Sequence, residues 1–594
     1  MSNIDENKKH IAGMINEVSK GGSQNQNIWI PDGDTVPEGF KINDNGFYKI
    51  KREKKGSEVL WVSVPFRIEG LSRDINNLRW GKYISFFNQD NIKTFLHVPD
   101  ELLEEHQKLR KLLRSTGLKI TTRDQRACLV DYLNNYITQR RVRVVEKYGW
   151  YNQVYVYPDE IFGANSRETF CPVELLGQHG YLQKGSLEDW KKKVASYCIG
   201  NSRLVFGVSA AFAAPLLELM GFEGGGVHLV GPSSIGKSII LIVVASALGD
   251  PVQYIFSWRT TDNALESTAM LRNDSLLILD EIGEMDSKSL GESAYMLANG
   301  SGKKRANRGG DGKQVKRWKI LLLSNGEKTL SEHMEEGGKR AKAGQEIRLL
   351  SIPSEVGEYG AFENIHGYEN SRSFVEALES NARSYYGVAG REFLKKFTAN
   401  RTKYLSQVRA IIKEVEVELS KYITNTQIGR LAKRFAIIVA GGELATSLGC
   451  TGWSLGEAKK AAITCFEACI SDWGNQTAEE KYLCDQVQGF FQQYSACRFI
   501  SKNANEDDVR RIQRLAGYTL DREDGTGNKL YLVSTKVFKM ELCKGISEVQ
   551  AKKILGKKGW LLKGTKGWQQ QHHIKHRNAS DWFYVFGPKV FHGG

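Results

Sequence analysis

The sequence has no C-x-x-C pair, and its nine cysteines fall at no Cys/His ligand spacing. Cys465 and Cys469 lie one helical turn apart, but neither a second pair nor a histidine accompanies them. A structural zinc is therefore not expected, and scattered cysteines fit a reducing cytoplasm. Long apolar runs are also missing. The two longest, Val205 to Phe222 and Ile239 to Leu248, are too interrupted or too short to span a bilayer and read instead as buried elements. The opening decapeptide MSNIDENKKH has no apolar signal core. No internal repeat or low-complexity tract stands out, and residues 36–185 show no metal cluster or nucleophile pair.

What is present is length and positive charge. A chain of 594 residues is too long for one core, and about three or four domains are expected. Its 83 Lys and Arg outnumber 68 Asp and Glu, a net charge of +15. That excess favours a polyanionic partner, nucleic acid before a membrane surface.

The most informative stretch is VHLVGPSSIGKSIILIVVASAL, Val227 to Leu248: a short apolar strand, a glycine-rich turn and an apolar helix. The turn GPSSIGKS fits G-x-x-x-x-G-K-[ST], a phosphate-cradling loop. Gly231, Pro232, Ser233, Ser234, Ile235 and Gly236 would wrap the phosphates of ATP with backbone N–H groups. Lys237 would reach the β- and γ-phosphates, and Ser238 would place a hydroxyl on Mg²⁺. Downstream, LLILDE ends a buried strand in Asp280 and Glu281. Asp280 would hold Mg²⁺ through its water shell, and Glu281 would polarise an attacking water. A third strand, KILLLSNGE, ends in Ser324 and Asn325, and a polar residue there would lie near the γ-phosphate, the sensor 1 arrangement of AAA+ ATPases. Arg348, and after it Arg340, are candidates to reach a neighbour's γ-phosphate. GRLAKRFAIIVAGGELA puts Arg430 and Arg434 at the start of an apolar helix, where one would act as a second phosphate sensor.

Between the second and third of these strands lies a basic, glycine-rich insert. From Lys303 to Lys319 it carries Lys303, Lys304, Arg305, Arg308, Lys313, Lys316, Arg317 and Lys319 against one Asp, net +7. A hairpin is expected, and its charge suits DNA phosphates. Hexameric helicases of the papillomavirus and MCM type carry a pore hairpin at the same place before sensor 1.

Along the chain, residues 1–35 are polar and read as mobile. Residues 36–185 read as one α+β domain, with a hairpin turn at NDNG, helices over about 100–115 and 122–139, and an arginine run (Arg140, Arg141, Arg143) that reads as a solvated charge cluster ahead of a set of phosphate contacts. Residues 186–362 alternate strand and helix and form the nucleotide domain, an α/β sheet. Residues 363–477 have helical period throughout and read as a lid and connector. Residues 478–594 return to short strands and basic helices. Within them, Lys536 to Arg577 holds eleven Lys and Arg and two acids. A helix through SEVQAKKILGKKG followed by two strand-like runs resembles a winged helix, with Lys552, Lys553, Lys557 and Lys558 placed to meet phosphates. The apolar residues Leu542, Ile546, Val549, Ile554 and Leu555 do not fall on one clean helical face.

The motifs GFKINDNGFYKI, KYGW, GPSSIGKS, WRTTDNALES, LLILDEIGEMD, NGSGKKRANRGG, LLLSNGE and AGQEIRLLSIP, in this order between residue 38 and about 450, resemble a bacterial family. It has long been labelled a domain of unknown function and occurs in MCM-like AAA+ replicative helicases of prophages, integrative elements and staphylococcal cassette chromosomes. The resemblance implies an AAA+ motor; with the readings above, the expected fold is an α/β AAA+ P-loop core with an N-terminal α+β domain, a helical lid and a C-terminal winged-helix-like domain. It also implies a ring, a hexamer, that unwinds DNA during replication of a mobile element; the expected cofactors are ATP and Mg²⁺, and the expected partners are single-stranded and forked DNA and primase or other replication proteins, without a membrane. The rival reading is a helicase loader, initiator or remodeller that binds DNA without unwinding it.

Overall fold

The structure, a computed structural model, describes residues 29–53, 56–120, 123–163, 168–172, 180–303, 315–339, 343–471, 478–521, 529–565 and 567–591. Its centre is a five-stranded parallel sheet. The strands are β1 (Gly225–Val230), β2 (Phe256–Ser257), β3 (Ser275–Asp280), β4 (Ile320–Gly326) and β5 (Leu349–Pro353), in the spatial order β2-β3-β4-β1-β5. These strands are apolar runs because both faces of the sheet are covered. Alternation assigns each residue to a side: Leu276, Ile278, Leu321 and Leu323 join one core, and Leu277, Leu279, Ile320 and Leu322 the other.

The first core holds two helices without a polar face, α1 (Ser202–Ala213) and α2 (Lys237–Leu248). Every residue of α1 is buried, as the all-round apolar sequence requires. The apolar runs of the sequence are thus the middle of a layered fold, and no helix among the described residues is long and apolar enough to cross a membrane. The second core is closed by α3 (Asp262–Leu271), α4 (Ser287–Asn299) and α5 (Leu330–Glu336).

C-terminal to the sheet come helices Ser371–Ser384, Val388–Ala399, Arg401–Leu419, α6 (Thr426–Ser447) and Glu457–Ser471. The central α6 residues are buried against α1, and all five helices share the first core. On the N-terminal side the NDNG turn does join two strands, Phe40–Asn43 and Gly46–Glu53, with Asn43 opposite Gly46. The expected helix over 100–115 is two helices, Glu101–Glu104 and His106–Ser115, broken at Glu105, whose backbone leaves the helical region. The next runs only over Arg123–Asn135.

The arginine run is not solvated. Arg140 bonds Asp34 at 2.6 Å, Arg143 bonds Glu168 at 2.9 Å, and Arg141 donates to the Thr138 carbonyl at 3.1 Å. Residues 29–136 supply one core, whereas Tyr148, Trp150, Tyr155, Tyr157, Phe162 and Tyr181 belong to the core of the central sheet. The KYGW segment is therefore docked on that sheet: the Trp150 N–H donates to Asp274 at 2.9 Å, and Asn273 donates to the Tyr148 carbonyl at 2.8 Å.

The last segment opens with a 17-residue helix, Ala478–Tyr494, where the sequence reading places strands and basic helices. It then forms a six-stranded sheet that includes Gly517–Asp521, Lys529–Ser534, Gln570–Ile574 and Ala579–Phe586, with its own core. Helix α7 (Glu548–Lys557) buries Ala551, Ile554 and Leu555, a helical i, i+3, i+4 face. The scattered apolar pattern is explained by Val549, which is exposed, and by Leu542, which belongs to the separate π-helical segment Phe538–Leu542.

Candidate functional site

Strand β1 ends at Val230, and the loop 231–236 turns the chain into α2. Gly236 caps that helix at φ +104°, and a Cβ there would lie 2.5 Å from the Phe362 ring. Glycine is thus needed twice, for the left-handed turn and for the approach of the 359–362 segment. Lys237 is buried. Its ammonium donates to the Gly231 carbonyl at 2.7 Å and to the Pro232 carbonyl at 2.5 Å. Burial pulls its pKa below the ordinary lysine value, while Glu281, Glu327 and Asp280 oppose the shift. The lysine therefore folds back over its own loop, where a phosphate could replace the carbonyls as its partner.

Because the sheet is parallel, the strand ends next to this loop are also carboxyl ends. Asp280 and Asn325 meet the loop there. The Ser238 hydroxyl lies 3.4 Å from Asp280 Oδ1, and the Asn325 amide nitrogen lies 3.4 Å from the same hydroxyl. Asn325 Oδ1 accepts the Glu281 N–H at 2.7 Å. Glu281 has φ +53°, which a non-glycine residue adopts at a cost, and its carboxylate accepts from the Gly283 N–H at 3.3 Å. Lys237, Ser238, Asp280, Glu281 and Asn325 are thus brought together. Ser238 and Asp280 present oxygen donors side by side, the hard ligand set that Mg²⁺ takes.

The arginines do not join this end. Arg348 precedes β5, and its carbonyl accepts the Gly226 N–H at 2.6 Å, at the amino edge of the sheet. From Gly226 to Val230 the strand rises about 13 Å. The Arg348 side chain donates to Asn299 and to the Gly344 carbonyl, both at 2.8 Å, and lies over the Tyr295 ring at 4.4 Å.

Arg430 and Arg434, expected to sense phosphate, start α6 at this same edge, away from their own loop. Arg434 donates to the Ile347 carbonyl at 2.6 Å. Its guanidinium fills the space where a Cβ on Gly225 would be, 2.2 Å from Nη2. Desolvation pushes its pKa down to about 10, Arg348 adds to the shift and Glu223 opposes it. The physical reason for this placement is α6 itself. Its apolar middle must lie along α1, which leaves its polar start at the amino edge. Arg348, Arg430, Lys433 and Arg434 line a cavity of about 490 Å³ there, with Glu223 and Glu416. Arg340 lies outside the described residues.

Of the basic insert, Lys304, Arg305, Arg308 and Lys313 lie outside the described residues, but its base is a hairpin. Ser301 pairs antiparallel with Arg317, and the Gly302 N–H donates to the Lys316 carbonyl at 3.0 Å. Lys303 bonds Asp262 at 2.7 Å, its N–H reaches Glu266 at 3.0 Å, and Lys316 donates to Ser267 at 3.2 Å. Arg317 is exposed. The insert is therefore seated on α3, whose first turn is also held to α4 through Asp262 and Ser293 at 2.6 Å. On α7, Lys553 and Lys557 are exposed, Lys552 is tied to Glu548 at 3.0 Å, and Lys558 lies over Trp560.

Sequence reasoning missed two groups. Asp262 is one. The other is a buried chain of hydrogen bonds behind Asn325: Trp258 Nε1 donates to Ser324 Oγ at 2.8 Å, and Ser324 Oγ lies 3.2 Å from His228 Nδ1. His228 Nε2 lies 2.9 Å from the Lys328 carbonyl. Burial holds the His228 pKa down to about 4, so a neutral ring donates from Nε2 and accepts at Nδ1. The only signal in the sequence was that polar His228 and Ser324 interrupt apolar strands.

Residues 40–317 match a sequence family described as a domain of unknown function, DUF927. No curated protein matches the sequence significantly. The fold is similar to that of a solved chain described as "SCCmec type IV Cch - active helicase", with a TM-score of 0.67 at 16% identity, over 93% of this chain and 97% of that one. NtrX from Brucella abortus in complex with ATP aligns at a TM-score of only 0.16 and 14% identity, over 22% of this chain and 31% of its own. The C-terminal region of NrS-1 aligns at 0.25 and 12% identity, over 67% and 91%, and neither of these two bears on the fold.

Proposed function

We propose that this chain is the subunit of an ATP-driven DNA helicase of a mobile genetic element, an AAA+ motor working as a ring. The observation that carries this reading is the division of the central sheet. A phosphate loop, two carboxylates and an asparagine converge at the carboxyl edge, and the candidate arginines gather at the amino edge. An arginine a strand's length from its own loop, if it acts on a phosphate, acts on one held by another copy. The strand order β2-β3-β4-β1-β5, with a polar residue ending the strand between the loop strand and the Asp–Glu strand, supports an AAA+ assignment. So does the likeness in fold to a chain whose name includes "active helicase".

In this reading Lys237 holds the β- and γ-phosphates of ATP, and Ser238 with Asp280 holds Mg²⁺. The metal would supply charge neutralisation on the phosphates. Glu281 takes a proton from the attacking water, and Asn325 fixes both that carboxylate's backbone and the water. Arg348 reaches the neighbouring site, with Arg430 and Arg434 beside it. The basic insert from Lys303 to Arg317 grips DNA in the pore. Residues 363–477 form the lid, and the winged-helix-like segment 478–594 meets DNA through Lys552, Lys553, Lys557 and Lys558.

The test is ATP-dependent unwinding of 3′- and 5′-tailed forked DNA, beside a mass measurement with and without nucleotide. The wild type should unwind one fork and assemble into a ring. Lys237→Ala should lose hydrolysis and unwinding to background while still binding DNA. Hydrolysis without strand displacement would overturn the helicase reading in favour of a loader or initiator.

A further inference from the structure

The C-terminal segment carries a cavity that none of the residues assigned above touches. It measures about 520 Å³, within the rough 300–1,000 Å³ range of ligand sites, and opens between the turn before Gly517 and the hairpin Gln570–Ile574/Ala579–Phe586. Its wall includes Tyr518, His576, Arg577, Asp581 and Trp582. Tyr518 is buried, with its ring 5.7 Å from the His576 ring and edge-on to Phe583 at 5.6 Å. Trp582 is different: it stands on a strand yet is 45% exposed. Arg577 and Asp581 form an ion pair at 2.9 Å, each about half exposed. Nδ1 of His576 is buried with no hydrogen-bond partner among the described residues, and its Nε2 lies 3.5 Å from the Tyr518 hydroxyl.

These features fit one chemistry. An exposed indole at the mouth of a polar cavity is a stacking platform, and base-on-aromatic stacking tolerates any sequence. Arg577 and Asp581 offer a donor and an acceptor side by side, as the edge of an unpaired base requires, and His576 Nδ1 adds a third polar position. Lys536 and Lys575 are exposed and adjoin the lining residues Thr535 and His576, so cations stand beside the cavity for a phosphate backbone. In a duplex the faces of the bases are already stacked and their edges paired, which leaves nothing for the cavity to take.

We infer that this cavity receives an unpaired base of single-stranded DNA, with Trp582 stacked on it and the Arg577–Asp581 pair at its edge. The inference deepens the proposed DNA-binding role of the segment and rests on that role. It separates a single-strand site here from the phosphate contacts of α7.

The experiment is a titration of the full chain with matched single-stranded and fully paired oligonucleotides, followed by fluorescence anisotropy at two salt concentrations. Trp582→Ala should weaken single-strand binding roughly ten-fold and leave duplex binding unchanged, while Trp582→Phe should restore most of the loss. Irradiating the complex with a 5-iodouracil-substituted single strand should place the crosslink on Trp582 or Tyr518. Equal loss on both DNAs, no loss on either, or a crosslink confined to other residues would overturn the assignment, as would competition by a mononucleotide at the same concentration as the strand. ATP turnover without DNA is read on the same samples. Its absence in the wild type would count against the motor and not against the cavity.

Discussion

At the carboxyl edge of the central sheet the polar groups lie close to one another, and their partners are the phosphate loop and each other. Ser238, Asp280 and Asn325 touch only at 3.4 Å, and Lys237 is bonded to loop carbonyls. At the amino edge the groups are long cations with firm partners: Arg434 on the Ile347 carbonyl at 2.6 Å, and Arg348 on Asn299 at 2.8 Å. One set is poised to exchange its partners for a ligand. The other is fixed in place around a cavity. A single chain has no way to bring the two together across a strand's length, so the contrast is what a site shared between copies would need.

The sharpest way to break that comparison is at Arg348. If it completes a neighbour's site, Arg348→Ala should lower turnover by roughly 10³- to 10⁵-fold while each chain still binds nucleotide with its usual affinity. If it is only part of the cavity wall, turnover should follow stability and change a few-fold. Glu281→Gln attacks the other edge. It keeps the size and the hydrogen bonds but cannot take a proton, so turnover should fall by roughly 10²- to 10⁴-fold with nucleotide retained. Mixing the two inactive variants then sharpens the comparison. A ring that places the intact arginine of one variant against the intact carboxylates of the other should regain measurable hydrolysis. A mixture that stays inactive, although both variants assemble, would show that the edges do not share a site.

How much of this could be read in advance depended on whether the chemistry was local in sequence. The loop 231–238 and the strand ending in Asp280–Glu281 are contiguous, and each motif states its own geometry: a glycine where the chain must turn left-handed, an apolar run ending in carboxylates. Asn325 was legible because it ends a third run of the same kind. The arginine of α6 was misplaced because its position depends on which part of that helix packs against α1, a long-range choice that helical period does not reveal. The seat of the basic insert on Asp262 was invisible for a similar reason. A lone aspartate at a helix start reads as a cap, and only the return of the chain at Lys303 gives it a partner. The domain boundary drawn near residue 185 ignored that Tyr148 to Tyr181 supply aromatic side chains to the core of the sheet rather than to the domain before it.

The same two edges carry a smaller, pH-dependent test, because β3 is flanked by an aspartate at each end. Asp280 faces the phosphate loop, whereas Asp274 is buried under the KYGW segment, with φ +54° and its carboxylate accepting from the Trp150 N–H at 2.9 Å and from Asn273 at 2.8 Å. Burial raises the Asp274 pKa from 3.8 to about 6, against the pull of the Trp150 N–H and Lys147. Between those two values the folded chain binds a proton that the unfolded chain does not. Folding is therefore penalised above about pH 6 and relieved as the pH falls towards 4, by about 3 kcal/mol at most. His228 works in the opposite sense. Its pKa is held near 4, so stability is lost as acid charges it below its unfolded value, and this masks the aspartate in the wild type. Asp274→Asn keeps an oxygen for the Trp150 N–H and removes the titration. The variant should melt above the wild type at pH 7.5, and the gap should close as the pH approaches 4. A gap that holds constant across that range would mean that Asp274 titrates alike in the folded and unfolded chain, and that burial under the KYGW segment does not raise its pKa.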